Sequence, residues 1–194
     1  MYQFFYVRKS KSNSKVGTIY KGVYDERNPI SRISLKISIP IKYWDEKRQE
    51  VKAHHDVIII GAGLAGLTVA IEVARYRDVL VLVKKELTLN ASAWAQGGIV
   101  GVLDKKDSFE LHVADTLEAG AGIALEAAAR YLTQNSASAI AWLLDQGVLF
   151  TPDSAGPLGL HLTCEGGHTH RRILHANDST GRVIHQALLT KARA

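Results

Sequence analysis

The chain has 194 residues, 46% of them apolar, and a formal net charge of +5 at pH 7. This size holds one ordinary domain or two small ones, and the composition excludes a disordered chain. No apolar run reaches the roughly 18 residues of a membrane-spanning helix, and the N-terminus lacks a secretory signal, so we expect a cytoplasmic protein. The single cysteine, Cys164, excludes an internal disulfide and a cysteine cluster for zinc or iron–sulfur.

The charge is unevenly distributed along the sequence. Residues 1–53 contain twelve Lys/Arg and five Asp/Glu, a net charge of +7, whereas the remaining residues contain twelve Lys/Arg and fourteen Asp/Glu, a net charge of −2. Five of the seven tyrosines also lie in the first stretch. We therefore predict two domains with different partners, 1–53 and 54–194.

The basic segment shows short alternating runs at 3–10, 18–26 and 31–39, separated by polar turns. This pattern predicts a small antiparallel β-sheet module. The alternative is a solvated, lysine-rich extension.

The same segment resembles the arm-type DNA-binding domain of tyrosine recombinases. The resemblance covers about 50 residues and is most specific at "PIKYWDEKRQEVK", residues 40–52. It implies DNA as a partner of residues 1–53, with basic side chains on a strand face meeting phosphates.

Beyond residue 54 the pattern predicts an α/β fold. An apolar strand at 56–60 leads into "GAGLAG", a helical segment at 67–78 and a second apolar strand at 79–83. A G-x-G-x-x-G between a strand and a helix is a strong dinucleotide-binding signal. Gly61 would allow the tight turn, Gly63 the approach of a pyrophosphate and Gly66 close packing of helix on strand. The alternative is a glycine turn without a nucleotide.

Two further features follow this Rossmann-like βαβ unit. Lys84 stands where an acidic residue would normally hold a ribose. The segment 90–102, "NASAWAQGGIVGV", offers the polar Ser92 and Gln96, and its Gly97–Gly98 pair would let the backbone approach a planar ligand. The alternative for this segment is a flexible loop.

Helical patterns come next. They predict surface helices at 107–120 and 125–135, then a separate helix that starts at a serine cap, Ser136 or Ser138, and stops at Gly147. His112 is interpreted as an ordinary helix-face histidine.

The stretch 161–181, "HLTCEGGHTHRRILHANDSTG", packs four histidines, two arginines and a glutamate among few bulky apolar residues. From the residues alone, three sites are open: a metal site, an acid/base constellation, or a cationic cradle for an anionic ligand.

The order of the motifs "DVIIIGAGLAGL", "SAWAQGGI", "HVADTLEAGAGI", "WLLDQGVLF" and "HLTCEGGHTHRRILHANDSTG" closely resembles the N-terminal part of the L-aspartate oxidases. These FAD enzymes open bacterial NAD synthesis and belong to the succinate dehydrogenase and fumarate reductase flavoprotein group. The resemblance runs from about Asp56 to the last residue. A soluble fumarate reductase is the nearest rival interpretation.

The resemblance implies FAD as the cofactor, bound without a covalent link because Ala91 stands where relatives with covalent FAD have a histidine. The FAD-binding residues that it implies are Gly61, Ala62, Gly63, Leu64, Ala65, Gly66, Lys84, Asn90, Ser92, Ala95, Gln96, Gly97 and Gly98.

In the family, a hydride passes from Cα of L-aspartate to the flavin, and oxygen or fumarate accepts the electrons. Glu165 matches the carboxylate that orients the substrate's amino group and is the implied catalytic residue. The implied substrate region contains Glu165, His168, His170 and Arg171, with Arg172 and His175 in the same segment. The cationic cradle is thus preferred, and no metal is expected. Cys164 departs from the arginine common before the glutamate.

The resemblance also implies that the FAD-binding domain is incomplete, because the family's capping domain and later catalytic residues are not in these 194 residues. We therefore expect this chain alone to fold poorly, with an exposed sheet edge, and to be inactive.

Overall fold

The computed structural model describes residues 2–7, 20–22, 44–45, 50–51, 55–84 and 86–194. The predicted strand at 31–39 and most of the segment that resembles a DNA-binding arm lie outside these residues. The chain forms two compact units, one of residues 1–93 with 188–194 and one of residues 94–187.

The described strands and helices are numbered in chain order. The strands are β1 Tyr2–Val7, β2 Tyr20–Gly22, β3 Trp44–Asp45, β4 Glu50–Val51, β5 Val57–Ile60, β6 Val79–Val83, β7 Ile99–Val100, β8 Leu162–Thr163 and β9 Ile173–Leu174. The helices are α1 Leu64–Val73, α2 Ala91–Trp94, α3 Phe109–Ala119, α4 Glu126–Asp145 and α5 Thr180–Arg193, with a 3₁₀ turn at Pro157–Gly159. Within the described ranges, no helix is both long and apolar enough to span a bilayer.

The predicted βαβ unit is confirmed in the first unit. β5 and β6 pair in parallel, from Val57 opposite Val79 to Ile60 opposite Leu82, and α1 connects them. α1 buries Leu67, Ala70 and Ile71, because apolar residues three and four apart share one face of a helix.

The same sheet contains a strand that the sequence did not predict there. β1 pairs antiparallel with β2 and also with β6, from Gln3 opposite Val83 to Val7 opposite Val79. The strand order is β2–β1–β6–β5. An antiparallel strand added to the edge of a parallel pair is common in α/β sheets. β3 and β4 form a separate antiparallel pair.

β5 ends this strand order, and one of its faces is open. Along the strand Ile58 and Ile60 are 60% and 82% exposed, whereas Val57 and Ile59 are half-buried. Successive side chains of a strand point to opposite faces. The exposed isoleucines therefore mark one apolar face of β5.

The second unit contains α3 and α4 and the small antiparallel sheet β7–β9–β8. Its buried apolar residues include Ile140 of α4, Leu174 of β9, and Val148, which follows α4. α3 begins at the cap Ser108, whose hydroxyl accepts a hydrogen bond from Leu111 N at 3.2 Å.

The prediction of two helices between 125 and 147 is wrong. α4 runs without a break through both serines, because Ser136 and Ser138 donate back to the carbonyls of Thr133 and Asn135 instead of capping a new helix. The predicted stop is confirmed, since Gly147 follows the C-cap residue Gln146 and adopts a φ of +87°.

Candidate functional site

The turn between β5 and α1 has the geometry of a nucleotide-binding loop. Gly61 has a φ of +107°, which favours glycine, and its N–H donates to Leu82 O at 2.7 Å. A Cβ on Gly66 would overlap the carbonyl oxygen of Gly61. α1 therefore starts directly against the turn, and the amides of its first turn lack acceptors within the helix, with no acidic residue among them.

A distant serine completes this turn. The hydroxyl of Ser92 accepts a hydrogen bond from Leu64 N at 3.3 Å and lies 3.3 Å from the position of a Cβ on Gly63. Asn90 helps to place Ser92, because its side-chain oxygen accepts from Ala93 N at 3.0 Å. The structure thus brings Asn90 and Ser92 to the glycine turn. Ser92 and its partner Leu64 are 28 residues apart in the chain.

Lys84 follows the last residue of β6 and is exposed. It lies at the carboxyl end of the parallel pair β5–β6, the end at which α/β sheets bind their ligands.

The segment 95–98 belongs to the second unit, and its two glycines differ in the space around them. Gly98 packs against β9, where a Cβ would overlap Ile173 and the carbonyl of Leu174. Around a Cβ on Gly97 there is open space within 4 Å. Gly98 is therefore required for strand packing, and Gly97 is the glycine of the pair with room for a ligand. Ala95 accepts a hydrogen bond from Gly181 N at 2.9 Å.

The loop between β8 and β9 contains a segment, residues 164–170, that carries Glu165, His168 and His170. We call it the Glu165 loop. Glu165 is exposed, and its carbonyl accepts from His168 N at 3.2 Å in a turn that Gly167 closes with a φ of +82°. The thiol of Cys164 donates to His168 O at 3.2 Å. The predicted substrate residues thus share one short loop, which Arg171, exposed, follows directly.

A buried ion-pair network anchors the end of this loop. Arg172 is fully buried and donates to both carboxylate oxygens of Asp107 at 2.8 Å and to Asp115 at 2.6 Å. Asp115 also accepts from the backbone N of Thr169 at 2.8 Å and from its hydroxyl at 2.9 Å. Arg172 is thus held by carboxylates of the chain itself, which leaves Arg171 as the exposed arginine of the pair.

The charges in this network stabilise one another. Burial raises the pKa of Asp115, but hydrogen bonds from Thr169 and Arg172 outweigh it and lower the pKa below its usual value. Burial also opposes the charge of Arg172, yet its hydrogen bonds to Asp107 and Asp115 raise its pKa. Both groups are therefore charged at neutral pH.

His112 lies on a face of α3, as predicted, but this face is buried. The residue is 5% exposed, and its ring lies 5.8 Å from that of His168. Burial and the nearby Arg172 lower its pKa. Its Nδ1 is buried without a hydrogen-bond partner among the described residues. The i, i+3 pattern of α3 could not reveal this, since the burial comes from residues more than 50 positions later.

His175 belongs to a second cluster rather than to the Glu165 loop. Its Nε2 lies 2.8 Å from Nδ1 of His161, and its backbone carbonyl accepts from Thr151 N at 2.8 Å. Among the described residues, no three His, Cys, Asp or Glu side chains are grouped as metal ligands would be.

A strand, a glycine turn against a helix N-terminus and a parallel second strand define a dinucleotide-binding domain. Residues 56–194 match the FAD binding domain family model. The chain belongs to this family, which confirms the flavin class of the predicted cofactor.

The chain is also similar to L-aspartate oxidases. It is 55% identical to L-aspartate oxidase 1 of Ralstonia nicotianae over 72% of the chain and 26% of that protein. It is 48% identical to the L-aspartate oxidase of Pseudomonas aeruginosa over 72% of the chain and 27% of that protein. The chain thus spans about a quarter of the length of these relatives.

Solved structures of the wider flavoprotein group have the same fold. The Mycobacterium smegmatis Sdh1 complex matches at 30% identity and a TM-score of 0.63, over 71% of this chain and 23% of that chain. The Escherichia coli quinol fumarate reductase FrdA matches at 26% identity and a TM-score of 0.63, over 71% and 24%.

Proposed function

We propose that the chain is the FAD-binding part of an L-aspartate oxidase, which oxidises L-aspartate to iminoaspartate in NAD biosynthesis, in the cytoplasm. The observation that carries the proposal is the 55% identity to an L-aspartate oxidase over 139 residues. The FAD-binding family match, residues 56–194, contains both the glycine turn and the Glu165 loop.

The residues around the glycine turn suit FAD. The N-terminus of α1 would face the pyrophosphate, and Ser92 and Lys84 lie at the same end of the β5–β6 pair. The proposed FAD-binding set is Gly61, Ala62, Gly63, Leu64, Ala65, Gly66, Lys84, Asn90, Ser92, Ala95, Gln96, Gly97 and Gly98. FAD, when bound, supplies the hydride acceptor.

Ala91 has no nucleophilic atom with which to attach a flavin. We therefore propose non-covalent FAD, and acid precipitation should release all of the flavin into the supernatant. Flavin absorbance that stays with the precipitated protein would contradict this.

The Glu165 loop suits an amino acid with two carboxylates. The exposed Glu165 carboxylate would pair with the substrate ammonium, and Arg171 would pair with a carboxylate. His168 and His170 add hydrogen-bonding groups in the same loop. Oxygen or fumarate would accept the electrons.

The direct test is a chimera. Residues 56–194 replace the matching segment of the Ralstonia nicotianae L-aspartate oxidase 1, which supplies the other three quarters of the length. We expect oxidation of L-aspartate by the chimera, and loss of this activity in the chimera with Glu165→Gln. A folded, FAD-loaded chimera without turnover would refute the proposal.

Fumarate or succinate chemistry is a second candidate, favoured by the fold shared with Sdh1 and FrdA. The same chimera separates the two functions when it is assayed with L-aspartate and, in parallel, with fumarate plus a reduced dye. Faster fumarate reduction together with no aspartate oxidation would favour this candidate.

We also propose DNA binding by residues 1–53, on the basis of their net charge of +7. Affinity for duplex DNA should fall steeply with salt concentration. Binding that is absent at low salt would refute this proposal.

A further inference from the structure

The Glu165 loop carries two histidines whose hydrogen bonds differ. Nδ1 of His170 lies 3.0 Å from the hydroxyl oxygen of Thr169, and Nδ1 of His168 lies 3.4 Å from Nη1 of Arg172. A neutral imidazole has one N–H donor and one lone-pair acceptor, so each contact decides which nitrogen carries the proton.

The hydroxyl of Thr169 has a single proton. Its oxygen lies 2.9 and 3.0 Å from the two carboxylate oxygens of Asp115. An ionised carboxylate only accepts hydrogen bonds, so the hydroxyl proton goes to Asp115.

His170 must therefore donate to Thr169. With the hydroxyl proton used, Thr169 Oγ1 can only accept from Nδ1–H of His170. This places the lone pair of His170 on Nε2. His170 is half-buried, so Asp115, Thr169 and His170 form a relay whose far end remains partly open to solvent.

His168 has the opposite tautomer. A guanidinium only donates, so Nδ1 of His168 accepts from Arg172 and its proton lies on Nε2. One short loop thus presents a hydrogen-bond donor at His168 and an acceptor at His170.

We propose that His170 is the base that accepts a proton from the ammonium group of the substrate, with Thr169 and Asp115 as positioning residues. This inference rests on the proposed oxidation of an amino acid. Glu165, proposed to pair with the same ammonium, is in the same loop.

The reaction needs such a base. An ammonium has no lone pair with which to form the C=N bond of an imine, so it must lose a proton before the hydride leaves Cα. One N–H bond of the ammonium breaks, its electron pair stays on nitrogen, and a proton–Nε2 bond forms on His170. The resulting imidazolium keeps Nδ1–H on Thr169, whose hydroxyl proton stays on Asp115. Imidazole is also a better base at neutral pH than a carboxylate.

The tautomers are tested first, on the full chain labelled with ¹⁵N-histidine, by long-range ¹H–¹⁵N correlation NMR. The resonances are assigned with His170→Gln and His168→Gln. We expect Nδ1–H on His170, loss of this tautomer in Thr169→Val, and its retention in Thr169→Ser, which keeps the hydroxyl. His168 should keep Nε2–H in the unaltered chain and in both Thr169 variants. Nε2–H on His170 in the unaltered chain would overturn the proposal.

Ligand titration of the ¹⁵N-labelled chimera, with its flavin reduced beforehand so that L-aspartate binds without being oxidised, then tests the proton acceptor. L-aspartate should shift the Nε2 resonance of His170, whereas succinate, which lacks the ammonium, should not. If L-aspartate shifts resonances elsewhere in the Glu165 loop but leaves His170 unchanged, the proposed base is wrong and the proposed substrate stands. If L-aspartate shifts no resonance, the proposed function fails and the base assignment fails with it.

Turnover gives a third readout in the chimera. His170→Gln should lower kcat at neutral pH by about 10²–10⁴-fold, the usual contribution of a general base, with little change in KM. The loss should shrink at pH 10, where more of the substrate amine is already deprotonated. Thr169→Ser should retain most of the activity. An unchanged kcat in His170→Gln would overturn the proposal.

Discussion

Gly66 is the position at which α1 comes closest to the turn that precedes it. In Gly66→Ala the new methyl group would overlap the carbonyl of Gly61, so helix and turn must separate. We expect a loss of about 1–3 kcal/mol in the free energy of unfolding and a large loss of FAD affinity. Urea unfolding and flavin fluorescence measure the two effects. Gly166→Ala, which has open space around its Cβ, is the matched control and should change neither quantity.

Arg172 holds together two acidic residues of the second unit. Its side chain is 0% exposed, and those of Asp107 and Asp115 are 1% and 7% exposed. Arg172→Met leaves two buried carboxylates without their cation, so we expect a loss of about 3–5 kcal/mol in the free energy of unfolding. Arg130→Met removes an exposed arginine paired with Glu126 and should have a far smaller effect. Equal losses in the two variants would contradict the role of the buried network.

His112 makes stability depend on pH. Its pKa is lowered in the folded chain, so the unfolded chain binds more protons just below pH 6.5. The contribution of neutral His112 to the free energy of unfolding is therefore complete above about pH 6.5. It is lost as the pH falls toward the pKa of His112 in the folded chain. Urea unfolding between pH 7.5 and 5.0 should therefore show a smaller decline in His112→Gln than in the unaltered chain. Parallel curves would contradict this.

At the scale of single elements, β5 shows the consequence of an open face. Ile58 and Ile60 are exposed apolar side chains on the last strand of the sheet order, and such strands favour self-association. We expect Ile58→Lys combined with Ile60→Lys to reduce aggregation in light scattering without lowering the melting temperature. The control Ile59→Lys alters a half-buried side chain on the opposite face and should unfold the unit. Undiminished scattering in the double variant would contradict the prediction.

Local patterns predicted the elements that local interactions determine. The strand–turn–helix–strand unit was readable because its glycines and apolar periods are contiguous in sequence. The continuous α4 was missed, since the serine hydroxyls satisfy carbonyls within the helix. The pairing of β1 with β6 joins residues more than 70 positions apart, and no local pattern encodes it.

The candidate site also combines residues that a local motif predicts with long-range contacts that no motif predicts. The Glu165 loop was recognised from its motif, but its anchors were not, because Arg172 lies 57 residues after Asp115 and 65 after Asp107. "HVAD" in α3 contains both Asp115 and His112, and nothing in its helical period shows that they face the loop. Gly98 was predicted from ligand approach, and the structure adds a packing requirement that the motif did not reveal, since a Cβ there would overlap Ile173 and the carbonyl of Leu174.

At the scale of the whole molecule, the basic segment and the flavin domain share a sheet. β1 occupies the edge of β6 along five residue pairs. Deletion of residues 1–53 would leave that edge without hydrogen-bond partners, so we expect a lower melting temperature and more self-association than in the full chain. Differential scanning fluorimetry and size-exclusion chromatography measure both. Unchanged behaviour would show that residues 54–194 are stable without the basic segment.

The exposed thiol of Cys164 has a practical consequence for the entire chain. It is the single cysteine among 194 residues, and it lies next to Glu165. A maleimide dye or a nitroxide spin label would therefore attach at one position, without removal of other thiols. A change in the signal of the label on adding L-aspartate would report binding directly, because the label sits one residue away from the carboxylate that is proposed to pair with the substrate ammonium.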